Sequence, residues 1–384
     1  MANDTPDYLK LYLSEVQGDF YGEHYYRERT ADNQSAIVYL DGEDKIRVSA
    51  LIALVFSPKR SFEVGCAMGL MVKALRAQHV AAEGIDFSQW CIDRADAAVK
   101  DAVKWGDILQ PVSAADEGAY DIVLALDVLE HLPPEKINEA LGNLAKRLKP
   151  GGMIFTVIPA YGPNEFGPEL YRLHRATWRR DAAADLPFRD IPLDDEGHPH
   201  MGHLTHATIG WWENAFRDAG MRRLGDVEQL LHNRFDGLLD HGRRSFFLFA
   251  KSGAIAARLA SGRLIDRIKQ IPTLPEGFWT WEQWEPEVWV RWTTGFARET
   301  IEVGGRASVE MRAICNHPGI GNDPVKVQFR IDDQLAHEEV FADHDWHTVR
   351  LALPQKTFAA IEIESSRTWT PDNREIAVGV SYVG

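Results

Sequence analysis

The chain has 384 residues, 45% of them hydrophobic and 26% charged, and its formal net charge is −15. That profile predicts a globular protein of two domains with a real core. Its acidic balance argues against a general nucleic-acid binder, whose phosphate contacts need a basic surface.

The N-terminus, "MANDTPDYLK", has neither a basic region nor an apolar stretch of the secretory kind. No apolar run reaches the roughly 18 residues of a membrane span, so no transmembrane segment and a cytoplasmic location are expected. Cys66, Cys91 and Cys315 have no CxxC spacing, which excludes a zinc ribbon and a dithiol redox motif.

"RSFEVGCAMGLMVKAL" (60 to 75) reads as a short buried strand, a tight turn between Gly65 and Gly69, and a helix. Such a turn lets a ligand approach the backbone at a helix start. The middle position is Ala67, and the spacing departs from the GxGxxG dinucleotide pattern. "EGIDFSQW" puts Asp86 at the end of a second strand, placed to accept ribose hydroxyls. "AVKWGDIL" puts Asp107 just past a third strand, where it can accept from an exocyclic amine or simply form a turn. "AYDIVLALDVLEHLPPEKINEALGNLAKRLKPGGMIFTVIPA" gives a fourth strand, an amphipathic helix, a Pro-Gly-Gly break and a fifth strand. Alternating strands and helices predict an α/β, doubly wound, Rossmann-like sheet with its ligand at the carboxyl edge.

"FEVGCAMG", "GIDFS", "WGDIL", "DIVLALDVLEHL" and "LKPGGMIFTVIP" occur in one order across residues 60 to 160. In that order and spacing they resemble the class I S-adenosylmethionine-dependent methyltransferases. The resemblance implies S-adenosylmethionine as cofactor. It implies that Glu63, Gly65, Ala67 and Gly69 wrap the methionine part and that Asp86 binds the ribose. Asp107 and Ile108 would frame the adenine, with Leu126 and Asp127 at the methionyl end. Ala67 is tolerable there if its φ is negative. The resemblance also implies an N-terminal helical cap, here residues 1–50. Within "GDFYGEHYYRER" (18 to 29), Tyr21 or Tyr25 would then contact cofactor or acceptor, or only dock the segment.

Residues 161 to 207 form a long insertion rich in Pro, Gly, Arg and His, where a substrate pocket can be built. It ends in "GHPHMGHLTHATIGWW", with His198, His200, His203 and His206. "TIGWWENAFRDAGM" reads as a helix stopped by Gly220, and "RRLGDVEQL" and "RRSFFLFAKS" as the last two strands of a 51–252 domain. This stretch resembles methyltransferases of polysaccharide and lipopolysaccharide biosynthesis, which modify sugars. A sugar hydroxyl needs its proton removed, and histidine suits that role. His131, after the fourth strand, and His203, in the insertion, are the catalytic candidates, with a structural hydrogen bond under the cofactor loop as the alternative for His131; His200 and His206 would line the acceptor site, or the run is only a satisfied polar loop. The run has no thiolate nearby, so no metal site is assigned, with a divalent ion as the lesser alternative.

Residues 253–278 read as a linker helix. Beyond it, "FWTWEQWEPEVWVRW" carries Trp279, Trp281, Trp284, Trp289 and Trp292, followed by short alternating runs. These predict a β-sandwich over 279–384 whose tryptophans serve either as core or as a glycan platform. The function expected is O-methyl transfer to a sugar hydroxyl of a glycan or nucleotide-linked sugar, with polysaccharide-assembly partners. A methyltransferase for another small molecule, and an inactive glycan-binding scaffold, are the alternatives.

Overall fold

The structure, a computed structural model, describes Tyr21 and residues 43–383 apart from 168–170, 194, 196, 198, 237–245 and 287. Most of the expected N-terminal cap, with Tyr25, lies outside the described residues, as does His198. The chain divides into two compact units, described over Tyr21 with 58–265 and over 43–57 with 266–383. The border expected after residue 50 falls inside helix α1 (Glu43–Phe56), which groups with the second unit.

The first unit is built on a seven-stranded sheet. Its strands are β1 (Arg60–Val64), β2 (Ala81–Asp86), β3 (Val103–Trp105), β4 (Tyr120–Leu126), β5 (Leu148–Val157), β6 (Arg222–Arg223) and β7 (Phe246–Ala250). They run in the order β3-β2-β1-β4-β5-β7-β6. The first five are parallel, and β7 is antiparallel to both β5 and β6. Strand β4 is buried from Ile122 to Leu126, as a sheet covered on both faces requires. The order reverses between β1 and β4, so the crevice beyond their carboxyl ends is where a ligand fits.

Local chemistry sets the helices. After the glycine turn comes α2 (Leu70–Arg76), and Ser88 caps the short α3 (Gln89–Asp93) through Cys91 N–H. Helix α4 (Pro134–Arg147) has proline in its first turn, Glu135 near its start and Lys146 and Arg147 at its end. Its Ile137, Ala140, Leu141 and Leu144 form the buried stripe that packs on the sheet. A short helix, α5 (Ala176–Ala183), lies in the insertion. Helix α6 (Ile209–Asp218) starts where Thr208 accepts from Trp211 N–H and buries Ile209, Trp212 and Phe216.

One expectation fails here. "RRLGDVEQL" is a strand only over Arg222–Arg223; helix α7 (Gly225–Phe235) begins at Gly225. The apolar residues Leu224, Val227, Leu230 and Leu231 have helical spacing, and tertiary contacts agree with it. Glu228, on the first turns of α7, is fully buried, pairs with Arg223 at 2.7 Å and accepts from Leu248 N–H at 2.8 Å. A helical turn brings that carboxylate back to both partners.

Helix α8 (Ala254–Gln270) spans the border between the units. The second unit is an antiparallel sheet of nine strands: β8 (Glu276–Phe278), β9 (Glu282–Glu285), β10 (Val288–Glu302), β11 (Ser308–Ile314), β12 (Val325–Ile331), β13 (Gln334–Phe341), β14 (His347–Ala352), β15 (Phe358–Ser365) and β16 (Gly379–Tyr382). The expected sandwich becomes one continuous path, β13-β12-β15-β10-β16-β11-β14. The fifteen-residue β10 is the cause: its second half pairs with β15 and its first with β16. The path nearly closes, because His347 on β14 reaches Glu339 on β13 at 3.1 Å.

Candidate active site

Beyond β1 the chain turns through three left-handed residues, Gly65 (φ 65), Ala67 (φ 47) and Gly69 (φ 80). A Cβ on Gly65 would stand 2.3 Å from Val128 Cγ2, so glycine is required there. Ala67 does not meet the condition set from the sequence. Its φ is positive, a conformation that costs an alanine roughly 1–2 kcal/mol. What holds it is Asp86 at the tip of β2: Ala67 N–H donates to Asp86 Oδ2 at 2.7 Å, and Ser88 N–H to Oδ1 at 2.7 Å. Burial pushes the Asp86 carboxyl up and the two amides oppose that shift.

These residues fit S-adenosylmethionine. Each Asp86 oxygen accepts one amide and retains a lone pair for a ribose hydroxyl. Next to it Phe87 is 38% exposed and Trp105 46% exposed, with ring centroids 6.1 Å apart. Trp105 is fixed by its indole N–H to Phe87 O at 2.8 Å. Sequence reasoning passed over both rings, though Phe87 directly follows Asp86. Asp107 accepts Leu109 N–H at 2.8 Å, so one of its oxygens serves the turn. Ile108 is partly buried against the core, and its carbonyl accepts from Asn143. Glu63 is buried at the end of β1. Leu126 ends β4, and Asp127 follows with φ 55 and its N–H on Val157 O.

The insertion folds back onto this edge. Leu204 and Thr205 N–H both donate to Glu130 O, at 2.8 and 2.9 Å, and Thr205 Oγ1 donates to Leu132 O. That clasp brings His203 to a ring-centroid distance of 4.9 Å from His131. Met201 (φ 58) and Gly202 (φ 73) turn the backbone so that Gly202 O lies 3.1 Å from His131 Nδ1. Tyr21 Oη lies 3.1 Å from the same nitrogen and donates to Gly202 O at 3.3 Å. Ser88 in turn donates to Tyr21 O at 2.9 Å, which ties Tyr21 to the Asp86 corner.

The two tautomers meet this contact set differently: an Nδ1–H donates to Gly202 O at 3.1 Å, whereas an unprotonated Nδ1 accepts from Tyr21 O–H at 3.1 Å. Glu130, which is fully buried, completes the cluster; its Oε1 is 4.0 Å from His203 Nε2. One donor atom from each of Glu130, His131 and His203 lies within 4.8 Å of the others, so a cation can be held there. Glu130 was missed from the sequence, although it adjoins His131.

Of the other two described histidines of the run, His206 lies near His203, with ring centroids 5.9 Å apart. His200 is exposed. His206 is 4% exposed, takes part in an aromatic cluster with Tyr161 and Trp178, and places Nδ1 2.9 Å from Tyr161 Oη. Burial lowers its pKa to about 4 and pushes that of Tyr161 up to about 12. His206 is thus a neutral, packed ring.

A family model described as "Methyltransferase domain" matches residues 43–222. A ubiquinone biosynthesis O-methyltransferase of Rickettsia conorii is 36% identical over 24% of this chain and 32% of its own length. One from Burkholderia multivorans is 31% identical over 25% of this chain and 43% of its own. The chain thus spans less than half the length of these relatives. Among solved structures, an O-methyltransferase family protein from Burkholderia thailandensis is similar at 14% identity, covering 62% of this chain and 63% of that one with a TM-score of 0.39. Over residues 43–222 the chain is thus similar to a methyltransferase domain.

Proposed function

We propose that this protein transfers a methyl group from S-adenosylmethionine to a hydroxyl oxygen, with a sugar as the acceptor. The observation that carries the reading is the placement of His131: Gly202 O stands 3.1 Å from Nδ1, and an Nδ1–H donating to it makes Nε2 the basic nitrogen. The cofactor, when bound, supplies an electrophilic methyl on sulfur. His131 accepts the proton of the hydroxyl as the oxygen attacks, and Tyr21 with Gly202 holds the imidazole in place. The Asp86 corner and the glycine turn fix the donor side, so alignment supplies a further part of the rate. The curated relatives are O-methyltransferases, which supports oxygen as the accepting atom. An unactivated sugar hydroxyl is the acceptor most in need of such a base, and the "GHPHMGHLTHATIGWW" stretch resembles sugar-modifying enzymes.

A second reading has its own observation. Glu130, His131 and His203 can hold a divalent cation, which would polarise the acceptor hydroxyl in place of a base. One experiment tests both. The full chain is incubated with S-adenosylmethionine and a panel of nucleotide sugars, oligosaccharides and phenols, with and without EDTA. Mass spectrometry then looks for the gain of one methyl. Methylated saccharide formed equally in EDTA supports the base mechanism. Loss in EDTA with rescue by Mg²⁺ or Mn²⁺ moves the reading to the cation. Methylation of phenols alone removes the sugar acceptor.

A further inference from the structure

The methyl-transfer reading uses only the first unit. The second unit carries a chain of indoles on its own surface. Ring centroids run from Trp346 to Trp284 at 5.4 Å, from Trp284 to Trp292 at 6.0 Å and from Trp292 to Trp369 at 6.0 Å. Trp292 is buried with Ile314 and Ile376, and it anchors the row. Trp346 and Trp369 are half-buried against that floor, and Trp284 is 40% exposed. A contiguous aromatic surface rimmed by polar groups marks an interaction site more often than a packing defect.

The rim says what fits. Glu282 accepts the indole N–H of Trp284 at 3.4 Å and of Trp292 at 3.3 Å through Oε2, and Arg374 at 2.8 Å through Oε1. Arg374 is also paired with Asp372 at 2.7 Å. The Arg312 guanidinium stands 4.7 Å over the Trp346 ring. A cationic ligand would meet Arg312 and Arg374, so this is not an ammonium cage. An anion would meet Glu282 and Asp372. A purely apolar partner would strip water from this ion network and offer it no hydrogen bonds.

We propose that the tryptophan row binds a neutral carbohydrate. A pyranose has apolar C–H faces to lie on indole rings. Its hydroxyls both donate and accept, which suits carboxylates and guanidinium groups side by side. Because the indole N–H of Trp284 is spent on Glu282, that ring is set in orientation and offers its face above the buried Trp292. The proposal does not depend on methyl transfer: a saccharide held here can serve as acceptor, product or anchor.

The test is affinity electrophoresis of the full chain in native gels containing dextran, galactomannan, glucomannan or xyloglucan, each run at low and at high salt. The wild type is expected to be retarded in at least one gel, with little change in salt because the ligand is neutral. Trp284→Ala and Trp346→Ala should lower the apparent affinity at least tenfold. Phe296→Ala, which removes another exposed ring of β10, should not change it. Trp284→Phe keeps a ring at the position and should fall between. It also serves if an alanine variant fails to fold, as a thermal melt would show. Absence of retardation in every gel, or retardation equal for wild type and the Trp284 variants, overturns the proposal. Retardation abolished by salt would point to an ionic contact and overturn it as well. S-adenosylmethionine binding, measured on the same samples, stays separate from all these outcomes.

Discussion

Tyr21 Oη and His131 Nδ1 lie 3.1 Å apart, although 110 residues separate them in the chain. Both groups also reach Gly202 O, so three distant segments meet on one imidazole. The consequence is graded. His131→Gln removes the proposed base and should lower kcat by about 10²–10⁴-fold with cofactor affinity kept. Tyr21→Phe removes one of two restraints on the ring and should cost about tenfold, the scale of a single neutral hydrogen bond. Steady-state kinetics with calorimetric titration of S-adenosylmethionine separates the two effects. A His131→Gln enzyme with wild-type turnover would remove the base assignment.

Asp86 joins the glycine turn to the second strand. Asp86→Ala removes the proposed acceptor for the ribose and releases Ala67 and Ser88 N–H together. Charge-assisted bonds of this kind contribute roughly 1.5–3 kcal/mol, so S-adenosylmethionine should bind about 10- to 150-fold more weakly. Titration calorimetry on the folded variant checks this. Unchanged affinity would mean that the carboxylate serves only the loop.

Much of this corner was legible because it is local. A strand, a glycine turn and a carboxylate at the next strand's tip lie within residues 60 to 86 and follow from short-range rules. The histidine site was legible only in part. His131 and His203 stand out as residue types, but their meeting depends on the Leu204 and Thr205 amides finding Glu130 O. No periodicity in the sequence reports that clasp. The misreading of α7 has a different cause: in "RRLGDVEQL" Leu224, Val227 and Leu230 recur every third residue, a helical spacing, and the buried Arg223–Glu228 pair agrees with it. In the second unit the alternation gave the strands, while the length of β10 decided that the sheet runs on as one path.

Ala67 offers a stability test. At φ 47 its side chain is strained, and glycine is free of that cost. Ala67→Gly should therefore stabilise the protein by about 1 kcal/mol and leave cofactor affinity within a few-fold. Urea denaturation followed by tryptophan fluorescence measures it. A loss of stability would show that the alanine methyl packs well enough to outweigh its backbone strain.

His206 makes stability depend on pH with a defined sign. Its folded-state pKa is lowered from 6.5 to about 4, chiefly by burial. Above pH 6.5 the ring is neutral in both states, and this group's contribution is fully present. As pH falls from 6.5 towards 4, the unfolded chain takes up the proton and the folded one does not, so stability declines. The full shift corresponds to about 3 kcal/mol, at 1.36 kcal/mol per unit. Chemical denaturation at a series of pH values should show that slope in the wild type. His206→Phe keeps a ring against Trp178 and Tyr161 but carries no titrating group, so its slope between pH 6.5 and 4 should be shallower by that amount. The variant also loses the contact with Tyr161 Oη and should be less stable at pH 7 by about 1 kcal/mol. Parallel slopes for the two proteins would mean that His206 titrates in the folded state much as it does unfolded, and that another group governs acid unfolding.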